Sequence, residues 1–148
     1  MSNRIDMGQV QPNGVKAIMH LEQYMANTEL PKMHKELIKI RASQINGCAY
    51  CVNMHTADAR KYGETEQRLA LICVWREAHG IFTEEEQLLL AMTEEITLIH
   101  NHGLSDDLYE KSIQTFGEVK TAQIVMAVIT INAWNRMAVS LHTKFDKA

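Results

Sequence analysis

Residues 46–55 read Asn-Gly-Cys-Ala-Tyr-Cys-Val-Asn-Met-His and contain two of the chain's three cysteines together with a histidine. Cys48 and Cys51 have two residues between them, and His55 follows four positions later, so on a helix the three side chains share one face. Gly47 marks a break before Cys48 and places the pair at the first turn of that helix. Free backbone N–H groups and the helix dipole favour a thiolate there. The stretch predicts a reactive dithiol beside a base.

The segments around this stretch repeat apolar residues at helical spacing, and only 2 prolines and 7 glycines interrupt them. Thr83 with Glu86 forms a capping box ahead of one such stripe, and Gly117 separates a short helix from a long last one. A chain of 148 residues is long enough for one domain with a real core. We therefore predict an all-α single domain over residues 1–148, with residues 1–12 as a loose, flexible arm.

Two further residues matter for the chemistry. A helix from about Lys32 to Gln44 places Glu36 on the same stripe as apolar side chains. A carboxylate on an inner face is costly unless it is paired, and such costs are tolerated at functional sites. Cys73 lies in the apolar run 71–75, on a helix predicted from about Glu66 to His79. It is predicted to be a small buried hydrophobe that points inward.

Charge and hydropathy exclude several classes of function. The net charge of −3 gives no basic excess to attract nucleic acid. No apolar segment spans a membrane without polar interruption, and the N-terminus lacks the apolar run of a secretory signal, so we expect a cytoplasmic protein without membrane contact. In that reducing compartment a close cysteine pair indicates redox chemistry or a metal. Residues 124–131 are apolar nearly all round a helix, which indicates central burial or a subunit contact and hence an oligomer.

Three interpretations of Cys48, Cys51 and His55 remain open from the residues alone. A structural zinc site needs a fourth ligand, for which His100, His102 or Glu36 are the candidates, but the usual second pair of cysteines is missing. Alternatively, the three are plain core residues. A redox dithiol is favoured, because a thiolate that attacks, a partner that resolves and a nearby base are the parts that this chemistry needs.

The segment from Glu36 through Cys48 and Cys51 to His55 resembles the core motif of the alkylhydroperoxidase-D-like branch of the carboxymuconolactone decarboxylase family. Glu36 lies twelve positions before Cys48, and His55 lies four after Cys51, as in that motif. Residues 60–63, 75–77 and 135–136 are also similar. One position differs, because Tyr50 stands where the best-known peroxidase pattern has a histidine, and a phenol loses its proton far above neutral pH.

The resemblance implies an antiparallel helical bundle assembled as a homo-oligomer, commonly a trimer or a hexamer, with the dithiol in a cleft near subunit contacts. It also implies peroxide reduction through a disulfide cycle, in which Cys51 attacks, Cys48 resolves, and Glu36 and His55 relay protons.

We therefore expect a thiol peroxidase or disulfide reductase that acts on hydrogen peroxide or a small organic hydroperoxide. A dithiol reductant would reset the pair, and neither a bound cofactor nor a metal ion is expected. Decarboxylation or isomerisation of a small lactone acid is a second hypothesis, although that chemistry does not use a dithiol. A non-enzymatic redox sensor is the third.

Overall fold

The computed structural model describes residues 4–144, and this part of the chain forms helices and no strand. The α-helices are α1 (Met7–Val10), α2 (Pro12–Ala26), α3 (Lys32–Ile45), α4 (Ala49–Lys61), α5 (Glu66–Leu71), α6 (Glu84–Thr97) and α7 (Asp106–Leu141). Two 3₁₀ turns cover Ile72–Glu77 and Ile99–Asn101. The predicted all-α fold is confirmed.

Side-chain caps begin several of these helices. At α6 the Thr83 hydroxyl accepts from the backbone N–H of Glu86 (3.2 Å), and the Glu86 carboxylate accepts from the backbone N–H of Thr83 (2.9 Å). This is the capping box that the sequence predicted. Thr65 and Ser105 cap α5 and α7 in the same way, through side-chain oxygens that accept from backbone N–H groups.

Helix α3 lies at the centre of the bundle and packs against α4, α6 and α7. Its side chains Leu37, Ile38 and Ile40 are fully buried. Burial of an aliphatic side chain of this size contributes roughly 1.5–3 kcal/mol to folding, so these three residues anchor α3 firmly. The position of Glu36, on the same helix, is fixed by that packing.

The long helix α7 breaks at Gly117, whose backbone (φ 75°, ψ 170°) is not helical, as the sequence predicted. Helix α7 is long and apolar enough, by length and composition alone, to cross a membrane. However, Ile124, Val128 and Ile131 are fully buried within the bundle. One face of the apolar half of α7 is therefore part of the protein core.

The segment after α5 differs from the sequence prediction. The chain passes from α-helix into a 3₁₀ turn, and Val74 (φ −125°, ψ 28°) departs from helical geometry. With three residues per turn, positions 69, 72 and 75 share a face, and Leu69, Ile72 and Trp75 are the buried residues there. Cys73 is rotated outward and is exposed, so the prediction of a buried Cys73 is wrong.

The predicted N-terminal arm also contains structure. Asp6 caps α1, with its carboxylate accepting from the backbone N–H groups of Gly8 and Gln9. The guanidinium of Arg4 donates to the carbonyl of Ser140 near the end of α7. Residues 1–3 of the predicted arm lie outside the described residues.

Candidate redox site

The turn between α3 and α4 presents the two cysteines. Gly47 has φ 66°, a left-handed conformation that glycine adopts without steric cost. The backbone N–H of Cys48 donates to the carbonyl of Ser43 (2.9 Å), which folds the chain back over the end of α3. Cys48 is the N-cap of α4, and its Sγ accepts from the backbone N–H of Cys51 (3.3 Å). The helix start at the cysteines is confirmed, with Cys48 at the cap.

Buried amides support this turn from α7. The Nδ2 group of Asn46 donates to Oδ1 of Asn135 (2.9 Å) and to Oδ1 of Asn132 (3.0 Å). Asn135 in turn donates to the Ser43 hydroxyl (3.0 Å), and Asn132 to the Thr97 hydroxyl (3.1 Å). A buried amide left without partners would cost roughly 1–3 kcal/mol, so these bonds resist any displacement of the turn. The amide network ties α3, α6 and α7 to the residues just before the cysteines.

Cys48 and Cys51 are joined as a disulfide, with Cα atoms 5.4 Å apart, a separation typical of disulfides. Both residues are buried, each with 2% of its surface exposed. The pair is therefore shielded from bulk solvent and lies at the start of α4, where the backbone N–H of Cys51 donates to Cys48 Sγ.

His55 lies one turn beyond Cys51 on α4, and its Nδ1–H donates to Oε2 of Glu36 on α3 (2.9 Å). Both side chains are buried, with 5% and 6% of their surfaces exposed. Lys39 Nζ lies 4.0 Å from Oε1 of Glu36 and 3.2 Å from Oε2 of Glu22. A carboxylate on Nδ1 fixes the imidazole tautomer and leaves Nε2 as the nitrogen that can exchange a proton. The structure thus pairs the two predicted relay residues directly.

A cavity of ≈420 Å³ brings the relay and one sulfur together, because Cys51 and His55 both line it. Its walls combine an apolar part and a charged part. The apolar residues are Met19, Met54, Trp134, Met137 and Ala138, and the charged residues are Glu22, Lys39 and Asp58. A second cavity of ≈240 Å³ is lined by Cys48. Each cysteine thus borders a different cavity, and Tyr50 lines both of them.

Sequence reasoning missed several residues of the larger cavity. Lys39 follows Glu36 by three positions on α3, and Asp58 follows His55 by three positions on α4, so both lie on the helix faces that the predicted site already used. That spacing was an available signal. The contribution of Met19 from α2 carried no such signal, since it depends on how α2 packs against α7.

The proposed zinc ligands are not all brought together. His100 and His102 are exposed at the 3₁₀ turn after α6, and neither lines the cavities at Cys48 and Cys51. Glu36 contacts the site through its hydrogen bond to His55. Among residues 4–144, Glu36, His55 and Asp58 form a group whose ligand atoms all lie within 4.8 Å of one another.

Another buried carboxylate, Glu94 on α6, lies outside the large cavity. It accepts from Arg41 Nε (2.8 Å), from Trp75 Nε1 (2.8 Å) and from Arg76. Burial alone would raise the pKa of Glu94, but the hydrogen bonds from Arg76, Trp75 and Arg41 together hold this pKa below its usual value. Glu94 therefore stays ionised and joins α3, α6 and the 3₁₀ turn.

Together, the helical fold and the buried cysteine pair beside a Glu–His pair define an all-α dithiol protein. A sequence profile of the carboxymuconolactone decarboxylase family matches residues 12–94, a range that includes Glu36, Cys48, Cys51 and His55. The match covers more than half of the chain, and the chain belongs to this family. The resemblance found in the sequence is confirmed.

Individual relatives agree with this assignment. The uncharacterized protein YdfG of Bacillus subtilis (strain 168) is 39% identical over 141 residues, which cover 95% of each chain. The crystal structure of ATU0492 from Agrobacterium tumefaciens, a protein of unknown function proposed to be the antioxidant defence protein AhpD, superposes with a TM-score of 0.94. It is 37% identical, and the alignment covers 99% of this chain and 100% of that one. The debrominase Bmp8 has a TM-score of 0.81 at 18% identity, covering 95% of this chain and 74% of its own, which shows a shared fold.

Proposed function

We propose that the protein is a cytoplasmic thiol-dependent peroxidase or disulfide reductase that reduces hydrogen peroxide or small organic hydroperoxides. The observation that carries this proposal is that Cys51 and His55 line one cavity while Glu36, behind the wall, is hydrogen-bonded to His55. Membership of the family and the close superposition on ATU0492 support an oxidoreductase.

The reaction begins from the reduced dithiol. The Cys51 thiolate attacks one oxygen of the peroxide, the O–O bond breaks, and Cys51 becomes a sulfenic acid while the departing alkoxide or hydroxide takes up a proton. The Cys48 thiolate then attacks the Cys51 sulfur, which releases the sulfenic oxygen as water and forms the disulfide. A dithiol reductant supplies the two electrons and two protons that restore both thiols and is itself oxidised to a disulfide.

The paired side chains of His55 and Glu36 move the protons in this cycle. Because Glu36 is hydrogen-bonded to Nδ1 of His55, Nε2 is the nitrogen that takes the thiol proton and returns it to the leaving oxygen. The relay in this proposal consists of His55 and Glu36 alone.

The reductant would react from the Cys48 side. Cys48 lines the smaller cavity, which is lined also by Gly47, Ala49 and His142, whereas Cys51 lines the larger one. Attack of an incoming thiolate on the Cys48 sulfur would release the Cys51 thiolate into the peroxide cavity, ready for the next turnover.

We also propose a homo-oligomer, a trimer or a hexamer. Ile129 and Val139 on α7 are large apolar side chains that remain exposed in the single chain, with 45% and 42% of their surfaces accessible. Association would cover them. Light scattering should give a mass that is a multiple of 16.9 kDa. A monodisperse species at the monomer mass would contradict this proposal.

Three cysteine variants test the function. Peroxide consumption should be followed with dithiothreitol as the reductant. Cys51→Ser should reduce the rate to background, because no thiolate attacks the O–O bond. Cys48→Ser should still form a sulfenic acid at Cys51, detectable by mass spectrometry, but should not form the intramolecular disulfide.

Cys73→Ser is the matched control, because Cys73 is exposed and lies on a different segment, and its rate should equal that of the parent protein. An unchanged rate in Cys51→Ser would contradict the proposal. Activity on a lactone acid that survives loss of both cysteines would favour the decarboxylase hypothesis instead.

A further inference from the structure

His55 and Asp58, in the wall of the larger cavity, belong to a cluster with Glu36 that the dithiol chemistry does not fully use. Glu36 on α3 and His55 and Asp58 on α4 offer ligand atoms that all lie within 4.8 Å of one another. His55 and Asp58 are three residues apart and therefore share a face of α4. We propose that these three side chains form an inhibitory binding site for a zinc ion.

The donor set matches the coordination chemistry of zinc. Zinc binds histidine nitrogen and carboxylate oxygen at about 2.0–2.2 Å, which separates two ligand atoms on one ion by roughly 3–4 Å. His55 Nδ1 and Glu36 Oε2 are already 2.9 Å apart, close to that separation. Asp58 is partly exposed, so its short side chain can rotate to complete the third bond. The cavity leaves room for a water molecule at the fourth position.

Burial strengthens the case for Glu36 and His55, because these two ligands are held in place by packing before any ion arrives. Both are more than nine-tenths buried, and Glu22 adds another carboxylate to the cavity wall. A preorganised pair of ligands loses little conformational freedom on binding an ion.

Two lysines oppose the ion. Lys39 Nζ lies 4.0 Å from Glu36 Oε1, and Lys61 Nζ lies 2.6 Å from Asp58 Oδ1. Lys61 is 70% exposed and can turn into solvent, which frees the Asp58 carboxylate. The two ammonium groups face three carboxylates when Glu22 is included, so the charge balance still favours a divalent cation.

The consequence rests on the function proposed above. An ion bound to Nδ1 of His55 would replace the proton that now joins His55 to Glu36, and it would hold both relay residues. The proton could no longer pass between Cys51 and the leaving oxygen. Zinc would therefore slow oxidation of the dithiol, and removal of zinc by a chelator would restore it.

Zinc binding is tested first on the disulfide form, in a Cys73→Ser background, so that no thiol contributes a ligand. Isothermal titration with ZnCl₂ alone should show one site per chain. Asp58→Asn should weaken this binding roughly tenfold or more, since even the loss of residues that only support metal ligands has effects of that size. Lys61→Met should strengthen it, because the ammonium that competes for Asp58 is gone.

Glu110→Gln is the matched control, because Glu110 is an exposed carboxylate on α7 that does not line the cavity, and its zinc affinity should equal that of the parent. No measurable zinc binding, or equal binding by the parent and Asp58→Asn, would overturn the proposal. This titration needs no turnover, so its result is independent of whether the protein is a peroxidase.

The inhibitory effect is measured separately on the reduced protein, as the ratio of the peroxide oxidation rates with and without zinc. That ratio should fall well below one in the parent and move toward one in Asp58→Asn. If zinc binds at Asp58 but leaves the ratio at one, the inhibitory part of the proposal is wrong.

Discussion

Glu36 and Glu94 are both buried carboxylates, yet their surroundings give them different roles. Glu94 is held by two guanidinium groups and an indole N–H, none of which gives up a proton near neutral pH. Glu36 is held by an imidazole, a group that can act as both acid and base, and this imidazole borders a cavity with a sulfur atom in its wall. Burial of a carboxylate does not by itself indicate chemistry. A titratable partner with access to a cavity does.

The largest effect that separates the two carboxylates is expected in the reaction rate. Glu36→Gln should slow oxidation of Cys51 by peroxide about tenfold to a thousandfold, because the amide keeps the shape but cannot exchange the proton. Glu94→Gln should leave this rate close to that of the parent. Stopped-flow oxidation of the reduced proteins at several pH values measures both. Equal rates for Glu36→Gln and the parent would mean that Glu36, like Glu94, only supports the fold.

The second effect concerns the free energy of unfolding, for which Glu94→Gln should be more damaging than Glu36→Gln. Glu94→Gln should lower the free energy of unfolding by about 1–2 kcal/mol, because it weakens charge-assisted hydrogen bonds of which only one, from the half-exposed Arg76, is strongly screened. Glu36→Gln should lose less than that, since the amide oxygen still accepts from His55. Urea unfolding of both variants provides the comparison. A greater loss for Glu36→Gln would show that the relay pair also carries the stability of the bundle.

The stability of the protein at acid pH should depend on the ionised form of Glu94. The pKa of Glu94 is lower in the folded protein than in the unfolded chain, where it is about 4.5. The ionised Glu94 therefore contributes its full stabilisation above pH 4.5, and this stabilisation is lost as the pH falls through the pKa of Glu94 in the folded protein. Glu86 behaves alike, since burial would raise its pKa but hydrogen bonds from Arg68 and Thr83 lower it. Glu94→Gln should therefore show a shallower loss of stability below pH 4.5. A parallel slope in the variant and the parent would contradict this assignment.

The smallest effect concerns a second histidine, His34 on α3. Burial lowers the pKa of His34 from 6.5, and the nearby Glu86 and Glu85 only partly offset this. The unfolded chain therefore takes up this proton more readily, and stability falls as the pH drops below about 6.5. Because His34 is half-buried, the change should stay under about 1 kcal/mol. His34→Gln should flatten the unfolding free energy between pH 7 and 5, and an unchanged slope would assign the dependence to another histidine.

Most of the fold could be predicted from local signals. The capping box at Thr83 and the glycine breaks at Gly47 and Gly117 depend on neighbouring residues, and the structure places each where the pattern indicated. Cys73 could not be placed in this way. A single change from α to 3₁₀ geometry rotates its side chain, and the tertiary contacts of Trp75 with Glu94 accompany that change.

For the candidate site, sequence reasoning identified the members on α3 and α4 but not the wall opposite them. Each of Glu36 and His55 stood on an apolar stripe of its own helix, which placed both inward, and the family resemblance implied that they act together as a proton relay. Trp134 and Met137 line the same cavity from α7, roughly eighty positions after His55 in the sequence. Packing between segments so far apart leaves no short-range sequence pattern.

The network of Asn46, Asn132 and Asn135 beneath the disulfide has a consequence for how the protein ages under oxidative stress. Its hydrogen bonds join carboxamides and hydroxyls. These groups do not change protonation in the physiological pH range, and they do not react with peroxides. Thioethers such as Met19 and Met54, in the wall of the cavity, do react. Repeated exposure to oxidants would thus convert methionines in the cavity wall to sulfoxides, while the amide network that positions the cysteines stays chemically unchanged.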